Sequence, residues 1–200
     1  NGTEIEGYNL ISAAYIGTDI GAPGTDRWVV VGNTGGIFRA DLSLYDGSEP
    51  WTRVAASGVT ASLRTIGVCT SCPSAGQTTV YIAGDGVIVQ STDRLSTASQ
   101  LETCTNTATL AANSATRDVL WTVCDRMRSL TGSTRSDRGA LPAGVTASAF
   151  LHIGQLQALV FGKNNGVGYV GAIDWTTSTS ATPTFTEQSI PAGVDPITGA

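Results

Sequence analysis

Histidine and lysine each occur once in 200 residues, at His152 and Lys163, and methionine once, at Met127. A Ser-His-Asp or Cys-His apparatus would therefore have to be built on His152. That residue stands in Phe150-Leu151-His152-Ile153-Gly154, where strand alternation sets it opposite Leu151 and Ile153 as a half-exposed histidine. Nucleophilic hydrolysis is poorly supported, and no enzyme mechanism has its residues assembled. The scarcity of lysine leaves ten arginines and one lysine against sixteen acids, a net charge of −5 and no basic stripe. Phosphate neutralisation, and with it nucleic-acid binding, is disfavoured. No run of eighteen apolar residues exists, so no membrane span is expected. The chain opens on Asn1 with no signal-peptide pattern, as expected of a processed form or of a piece of something longer.

Charged residues are only 14% against 41% hydrophobic, which excludes a disordered polyelectrolyte. Glycine is abundant, at 24, and Ser and Thr are rich throughout. That balance points to many short strands joined by turns, with helix a minor component. The word Gly-Val-Thr-Ala-Ser occurs twice, at 58–62 and 144–148, 86 residues apart. This is twice 43, and a four-stranded propeller blade takes roughly 40–45 residues.

The segments support that period. Trp28-Val29-Val30-Val31-Gly32 leads through a glycine turn into a second strand that ends at Asp41. Val80-Tyr81-Ile82-Ala83-Gly84-Asp85-Gly86 and the residues up to Asp93 repeat the design, and a looser copy runs from Leu159 through Gly162 and Asn165-Gly166 to Asp174. Asp85-Gly86 and Asn165-Gly166 supply the positive φ that hairpin turns need. Apolar strands at 8–17, 59–69 and 145–154 precede these hairpins, and polar strands at 51–55, 101–105 and 184–190 follow them. A fourth, degenerate unit occupies about 106–140, with Val119-Leu120-Trp121-Thr122-Val123 as its buried strand. Within 96–113, Ser99-Gln100-Leu101-Glu102 has the spacing of a capping box and predicts a single helical turn. The expected organisation is one all-β repeat domain with units at about 1–57, 58–105, 106–143 and 144–190 and a linker-like tail at 191–200. The four antiparallel β-meanders form a β-propeller or part of one, with a β-sandwich or jelly roll as the alternative.

Ser91-Thr92-Asp93, Asp46-Gly47-Ser48-Glu49-Pro50-Trp51 and Ser136-Asp137-Arg138-Gly139 are partial copies of one pattern. Strand, glycine turn, strand, Ser-x-Asp and a downstream aromatic resemble the BNR/Asp-box β-propellers, whose motif runs approximately Ser-x-Asp-x-Gly-x-Thr-Trp. The resemblance covers most of the chain with no complete copy. It implies the fold and transfers no catalytic residue.

Four cysteines remain: Cys69-Thr70-Ser71-Cys72, Cys104 and Cys124. Structural zinc needs a second CxxC or paired histidines, which are lacking. A thioredoxin-like motif needs a strand-to-helix setting that Pro73 does not offer. Two disulfides in an oxidising compartment fit best, with Cys69–Cys72 and Cys104–Cys124 preferred among the three connectivities and buried free thiols the next reading. No cofactor or metal is implied: an EF-hand loop is absent, and Gly32-Asn33-Thr34-Gly35-Gly36 lacks the Lys-Ser/Thr of a phosphate loop. Carboxylates for a glycosidase pair would come from Asp41, Asp46, Asp85, Asp93, Asp118, Asp125 and Asp174, most of them in turns. Arg117, Arg126, Arg128, Arg135 and Arg138 crowd one polar segment rather than recurring on successive strands. Trp28, Trp51, Trp121 and Trp175 fall about once per meander, so most are core or inter-blade packing. Trp175, beside a Thr/Ser tract, is the candidate for stacking on a glycan.

The sequence thus predicts an extracellular, cell-surface or virion protein with a structural or interaction role. It would present loops to other protein subunits, as a homo- or hetero-oligomer, or to glycans. A glycoside hydrolase on an Asp-box propeller and a virion or filament subunit are the alternatives.

Overall fold

The computed structural model describes residues 5–19, 22–42, 51–113, 118–123, 126–131, 134–154, 157–174 and 183–188. They form four antiparallel sheets, each a meander of consecutive strands. Sheet 1 holds β1 (Leu10–Asp19), β2 (Ala22–Gly32), β3 (Ile37–Leu42) and β4 (Thr52–Arg53), and sheet 2 holds β5 (Leu63–Cys69), β6 (Thr79–Ser91) and β7 (Ser99–Thr107). Sheet 3 holds β8 (Thr109–Asn113), β9 (Asp118–Val123), β10 (Arg126–Thr131) and β11 (Thr134–Ala140). Sheet 4 holds β12 (Val145–Gly154), β13 (Gln157–Asn164), β14 (Val167–Asp174) and β15 (Thr184–Glu187).

The thirteen-residue β6 is itself a hairpin. Gln90 Nε2 donates to the Tyr81 hydroxyl at 3.2 Å, whereas nine residues of straight strand would part them by about 30 Å. The chain turns back at Asp85–Gly86, where Gly86 takes φ +71°, so sheet 2 also carries four extended arms. The matching turn of sheet 4 is Asn165-Gly166, with φ of +49° and +85°, as a type I′ hairpin requires. In sheet 1 a 3-10 turn over Asn33–Gly35 takes this place.

Glycine recurs just before these turns for a second reason. A Cβ at Gly32, Gly84 or Gly162 would collide with the backbone carbonyl of Asn9, Ser62 or Thr146 respectively. At each of these points the preceding segment crosses close over the hairpin, and only a residue without a side chain fits.

Sheet faces bury against one another in succession. The first joint packs Val29, Val31 and Ile37 of sheet 1 on Leu63, Val80, Ile82, Val87 and Val89 of sheet 2. The second packs the opposite face of sheet 2, with Tyr81, Ala83 and Ile88, on Leu110, Val119, Trp121 and Val123 of sheet 3. The third packs Leu120 and Met127 on Phe150, Ala158, Val160 and Tyr169 of sheet 4. Sheets 2 and 3 bury both faces, which a two-layer sandwich does not allow. The first strands of the meanders touch in the order β1, β5, β8, β12, and the sheets form no closed barrel. Among the described residues the architecture is an all-β series of four antiparallel meanders packed face to face, which fits part of a propeller.

Two local expectations are corrected. Ser99 to Glu102 lies within β7, and 96–113 holds strands instead of a helical turn. Pairing of β7 with β6 supplies the backbone partners that an isolated helical turn would leave half unmade. β5 begins at Leu63, so residues 59–62 are not part of that strand. The repeated word closes a β-turn in both copies, with Val59 N–H donating to Ala56 O at 3.2 Å and Val145 N–H to Pro142 O at 3.0 Å, and in the second copy β12 starts at Val145 as expected. Gly58 and Gly144 take φ of +78° and +83°, the third position of a type II turn. The valine that follows is buried in both copies.

Candidate functional site

Three first strands, β5, β8 and β12, line a cavity of about 590 Å³. Ile66 and Val68 come from β5, Leu110 and Asn113 from β8, and Phe150 and His152 from β12. Gly67 lets β5 and β8 approach, since a Cβ there would strike the Leu110 side chain. The lining is apolar apart from backbone, Asn113 and His152. His152 is half-buried on the face turned to sheet 3, while Leu151 and Ile153 are 52% and 54% exposed. The alternation expected at His152 is present, but the apolar members are the ones facing solvent.

Four of the seven candidate carboxylates, Asp41, Asp85, Asp93 and Asp174, are tied into the framework. Asp41 accepts from Arg27, whose Nη2 donates at 2.9 Å, and Asp174 accepts from Gln157 at 3.1 Å. Asp85 accepts from Arg64 Nε at 2.8 Å, and this guanidinium holds its carboxyl below the usual range. Burial opposes ionisation at Asp93, but the N–H and hydroxyl of Thr97 and the hydroxyl of Ser91 outweigh it and lower its pKa. Asp118 opens β9, while Asp46 and Asp125 lie outside the described residues. A glycosidic acid must be held protonated near neutral pH, whereas Asp85 and Asp93 are both shifted the other way. Among the described residues no group of three or more His, Cys, Asp or Glu side chains is placed to hold a metal.

Ser91, Asp93 and Thr97 instead build a latch between sheets 1 and 2. Asp93 gathers the Ser91 hydroxyl at 2.8 Å, the Thr97 N–H at 2.9 Å and the Thr97 hydroxyl at 2.7 Å. Arg94 and Leu95 are thereby held at φ of +56° and +64°. Leu95 is fully buried in the first joint. Arg27 and Arg39 of sheet 1 donate to the Arg94 and Leu95 carbonyls at 2.9 and 3.0 Å, and Arg94 donates to the Gly17 carbonyl at 2.6 Å.

The arginine segment forms a network at the outer part of the second joint. Glu102 accepts from Trp121 Nε1 at 2.9 Å and from Arg135 at 2.6 Å, and lies 3.4 Å from Arg128. Asp137 bridges Arg126 and Arg128. Arg128 Nη1 is 2.7 Å from Asp137 but off the hydrogen-bond direction, so that contact is one of charge. The Gly139 N–H, then Arg126 and Arg128, hold the Asp137 carboxyl down at about 2. Arg138 donates to Ser129, and Arg117 lies outside the described residues.

Cys69 and Cys72 form a disulfide, with Cα atoms 5.4 Å apart, and both are buried in the second joint. The Thr79 hydroxyl donates to the Cys72 carbonyl at 2.8 Å and anchors the loop. Cys104 is disulfide-bonded as well, while Cys124 lies outside the described residues. No helix among the described residues is long and apolar enough to cross a membrane.

The tryptophans divide. Trp121 is fully buried, Trp51 is half-buried and Trp28 is 39% exposed, while Trp175 lies outside the described residues. Trp28 pairs with Tyr15 across β1 and β2, their ring centroids 5.4 Å apart. The Tyr15 hydroxyl donates to Asp26 at 2.8 Å. These residues lie on the face of sheet 1 turned away from sheet 2, with Leu10 and Ile11 also exposed along β1. Tyr8, edge-on to Phe38 at 4.8 Å and beneath Arg53, covers the β3 side of that face. Sheet 4 likewise turns Leu151, Leu159, Phe161 and Val170 away from sheet 3. Each end of the arc therefore carries a sheet face that no further sheet covers among the described residues. The signal for the second face was readable, because Ala149-Phe150-Leu151 and Ile153 put apolar residues on both sides of β12, the pattern of a strand buried twice.

No family model and no curated protein matches the chain. Eight chains of solved structure match. One is the major allergen Mala s 1 of Malassezia sympodialis, with a TM-score of 0.48 and 11% identity over 93% of this chain and 68% of that one. A likeness of that degree carries no argument about what this chain does.

Proposed function

We propose that the chain is a structural or interaction protein, secreted or displayed at a surface, that works by contact through the ends of a rigid β arc. The observation that carries this reading is the pair of apolar sheet faces, one on sheet 1 and one on sheet 4, that no further sheet covers among the described residues. Three joints within the chain already join one sheet face to the next through apolar side chains. The end faces are the two halves of a fourth such joint, held by the same chain. A second copy supplies both halves at once, sheet 4 against sheet 1, and such a head-to-tail contact closes a ring or continues as a filament. The Cys69–Cys72 disulfide supports an oxidising compartment. A glycan as second partner is favoured by the tilted Tyr15–Trp28 pair beside the Asp26 carboxylate, since sugars stack on such rings and bond to such oxygens.

Sedimentation velocity on two surface variants tests this reading. Trp28→Glu breaks the sheet 1 face and Leu151→Asp the sheet 4 face, both at exposed positions. The wild type is expected to associate at micromolar concentration and each variant alone to be monomeric. Mixed in equal amounts, the variants restore a dimer, because each keeps the half that the other lacks. A wild type that stays monomeric at 100 micromolar and retains no glycan on an array sinks the reading, as does turnover of a glycoside substrate.

A further inference from the structure

Open aromatic surface in this chain is concentrated at one place. Tyr15 and Trp28, at 43% and 39%, are the most exposed aromatic side chains among the described residues. They stand opposite each other on β1 and β2, on the face of sheet 1 turned away from sheet 2. Ile11 and Ala13 of β1 are exposed as well, while Tyr8 covers Phe38 on the β3 side. The open surface is therefore a strip two strands wide, roughly 10 Å, that carries the two rings. We infer that this ring pair is the stacking site for a soluble, neutral glycan of extended form, held with one sugar unit on each ring. The inference rests on the reading of the sheet 1 face as a contact surface and names the kind of sugar that the face takes.

Spacing, tilt and charge define that class. The ring centroids are 5.4 Å apart, close to the advance of one unit along an extended, equatorially linked sugar chain, so neighbouring units meet neighbouring rings. A coiled, α-linked chain sets its units closer together than this. The rings are tilted by 50°. A flat crystalline surface needs coplanar rings, whereas a soluble chain turns from unit to unit and follows the tilt. Tyr and Trp present an apolar body with a wet edge, which matches a sugar that lays C–H groups on the ring and keeps its hydroxyls toward water. Asp26 accepts from the Tyr15 hydroxyl at 2.8 Å and so sets that ring in place before a ligand arrives, which lowers the ordering cost of binding. The arginines of sheet 1 among the described residues are directed elsewhere. Arg27 holds Asp41 and the Arg94 carbonyl, Arg39 the Leu95 carbonyl, and Arg53 lies over the Tyr8 ring. An acidic sugar needs such a cation at its carboxylate; a neutral one does not.

Isothermal titration of the Leu151→Asp protein tests it, at a concentration where sedimentation shows a monomer and the sheet 1 face is open. Cellotetraose and chitotetraose are set against maltotetraose, whose chain coils, and tetragalacturonate, which is acidic. The first two are expected to bind about tenfold more tightly than the other two, with no loss as salt is raised. Trp28→Ala should lower that affinity about tenfold and Trp28→Phe should keep part of it, both variants being checked as folded by their thermal midpoints. Tyr15→Phe, which keeps the ring and drops the bond to Asp26, should weaken binding less than Trp28→Ala. Binding that survives Trp28→Ala overturns the inference, as does equal affinity for all four probes, a preference for tetragalacturonate, or no binding of cellotetraose and chitotetraose. The two readings of the face fail separately. A wild type that associates but binds no sugar sinks the inference and leaves the second-copy contact standing, whereas one that binds cellotetraose or chitotetraose and never associates supports the inference and sinks that contact.

Discussion

Single residues in this chain act chiefly through backbone geometry and charge pairing. Gly58 and Gly144 hold the same turn position, yet their surroundings differ. A Cβ at Gly58 would meet only the Gln100 side chain, at 3.9 Å, whereas one at Gly144 would press on the Asn165 side chain at 2.7 Å. Left-handed backbone costs an L-residue roughly 1–2 kcal/mol. Gly58→Ala is therefore expected to lower stability by about 1 kcal/mol and Gly144→Ala by more. Denaturant unfolding of the two variants reads the difference, and a reversed order would contradict the shared turn. Asp137 gives a prediction in pH. Its folded pKa, about 2, lies below the ordinary value near 3.9. A depressed carboxyl stabilises the fold above the ordinary value and loses that contribution as pH falls toward the folded one. The thermal midpoints of wild type and Asp137→Asn should differ at pH 6 and converge between pH 4 and pH 2. The gap is small, because Asp137 is exposed and solvent screens it.

At the scale of elements, the Ser91–Thr97 latch shows what a turn contributes when it is wedged between two sheets. Leu95 enters the first joint only because Arg94 and Leu95 hold left-handed backbone, and Asp93 pins that shape through Ser91 and Thr97. Leu95→Ala removes a fully buried side chain and is expected to cost about 2–5 kcal/mol. Asp93→Ala, which loses two exposed hydrogen bonds and one half-buried one and frees a strained turn, is expected to cost about 1–2 kcal/mol. Chemical denaturation of both variants checks the order, and an Asp93→Ala cost above that of Leu95→Ala would place the energy in the polar cage instead. Much of the element pattern was legible in the sequence: the glycines at 32, 84 and 162, the Asn165-Gly166 turn and the apolar run Val119–Val123 each mark their place by local chemistry. What was not legible depended on other strands. Ser99 to Glu102 carries a helix-cap spacing that pairing with β6 overrides. Glu102 had no local sign of its role, because its partners Trp121, Arg128 and Arg135 arrive from a different sheet. Trp28 read as core by its recurrence, but exposure is set by which face has a neighbour, and periodicity does not tell where a series of sheets stops.

For the whole molecule, that stopping point governs stability as well as contact. Among the described residues the main contacts of each sheet are with its neighbours in the series, so stability is close to a sum of sheet and joint contributions, as in stacked repeat arrays. Sheets 2 and 3 are held by two joints each, and sheets 1 and 4 by one. Opening a terminal sheet exposes one buried face, while opening a middle sheet breaks two joints and releases the end beyond it. Native-state hydrogen exchange should therefore run in a gradient. The amides of β6 and β9 exchange most slowly, at a free energy near that of global unfolding, and those of β1 and β15 exchange first. In a closed ring every sheet has two joints and no such ordering arises. The same experiment under associating conditions then reads the proposed contact directly. If sheet 4 of one copy covers sheet 1 of another, protection at β1, β2, β12 and β13 rises with protein concentration, while β6 and β9 stay as they were. The Trp28→Glu and Leu151→Asp variants should keep the gradient and lose its concentration dependence. Uniform exchange across all four sheets in the dilute wild type would mean that the end faces are already covered, and the reading of this arc as an open one would fail with it.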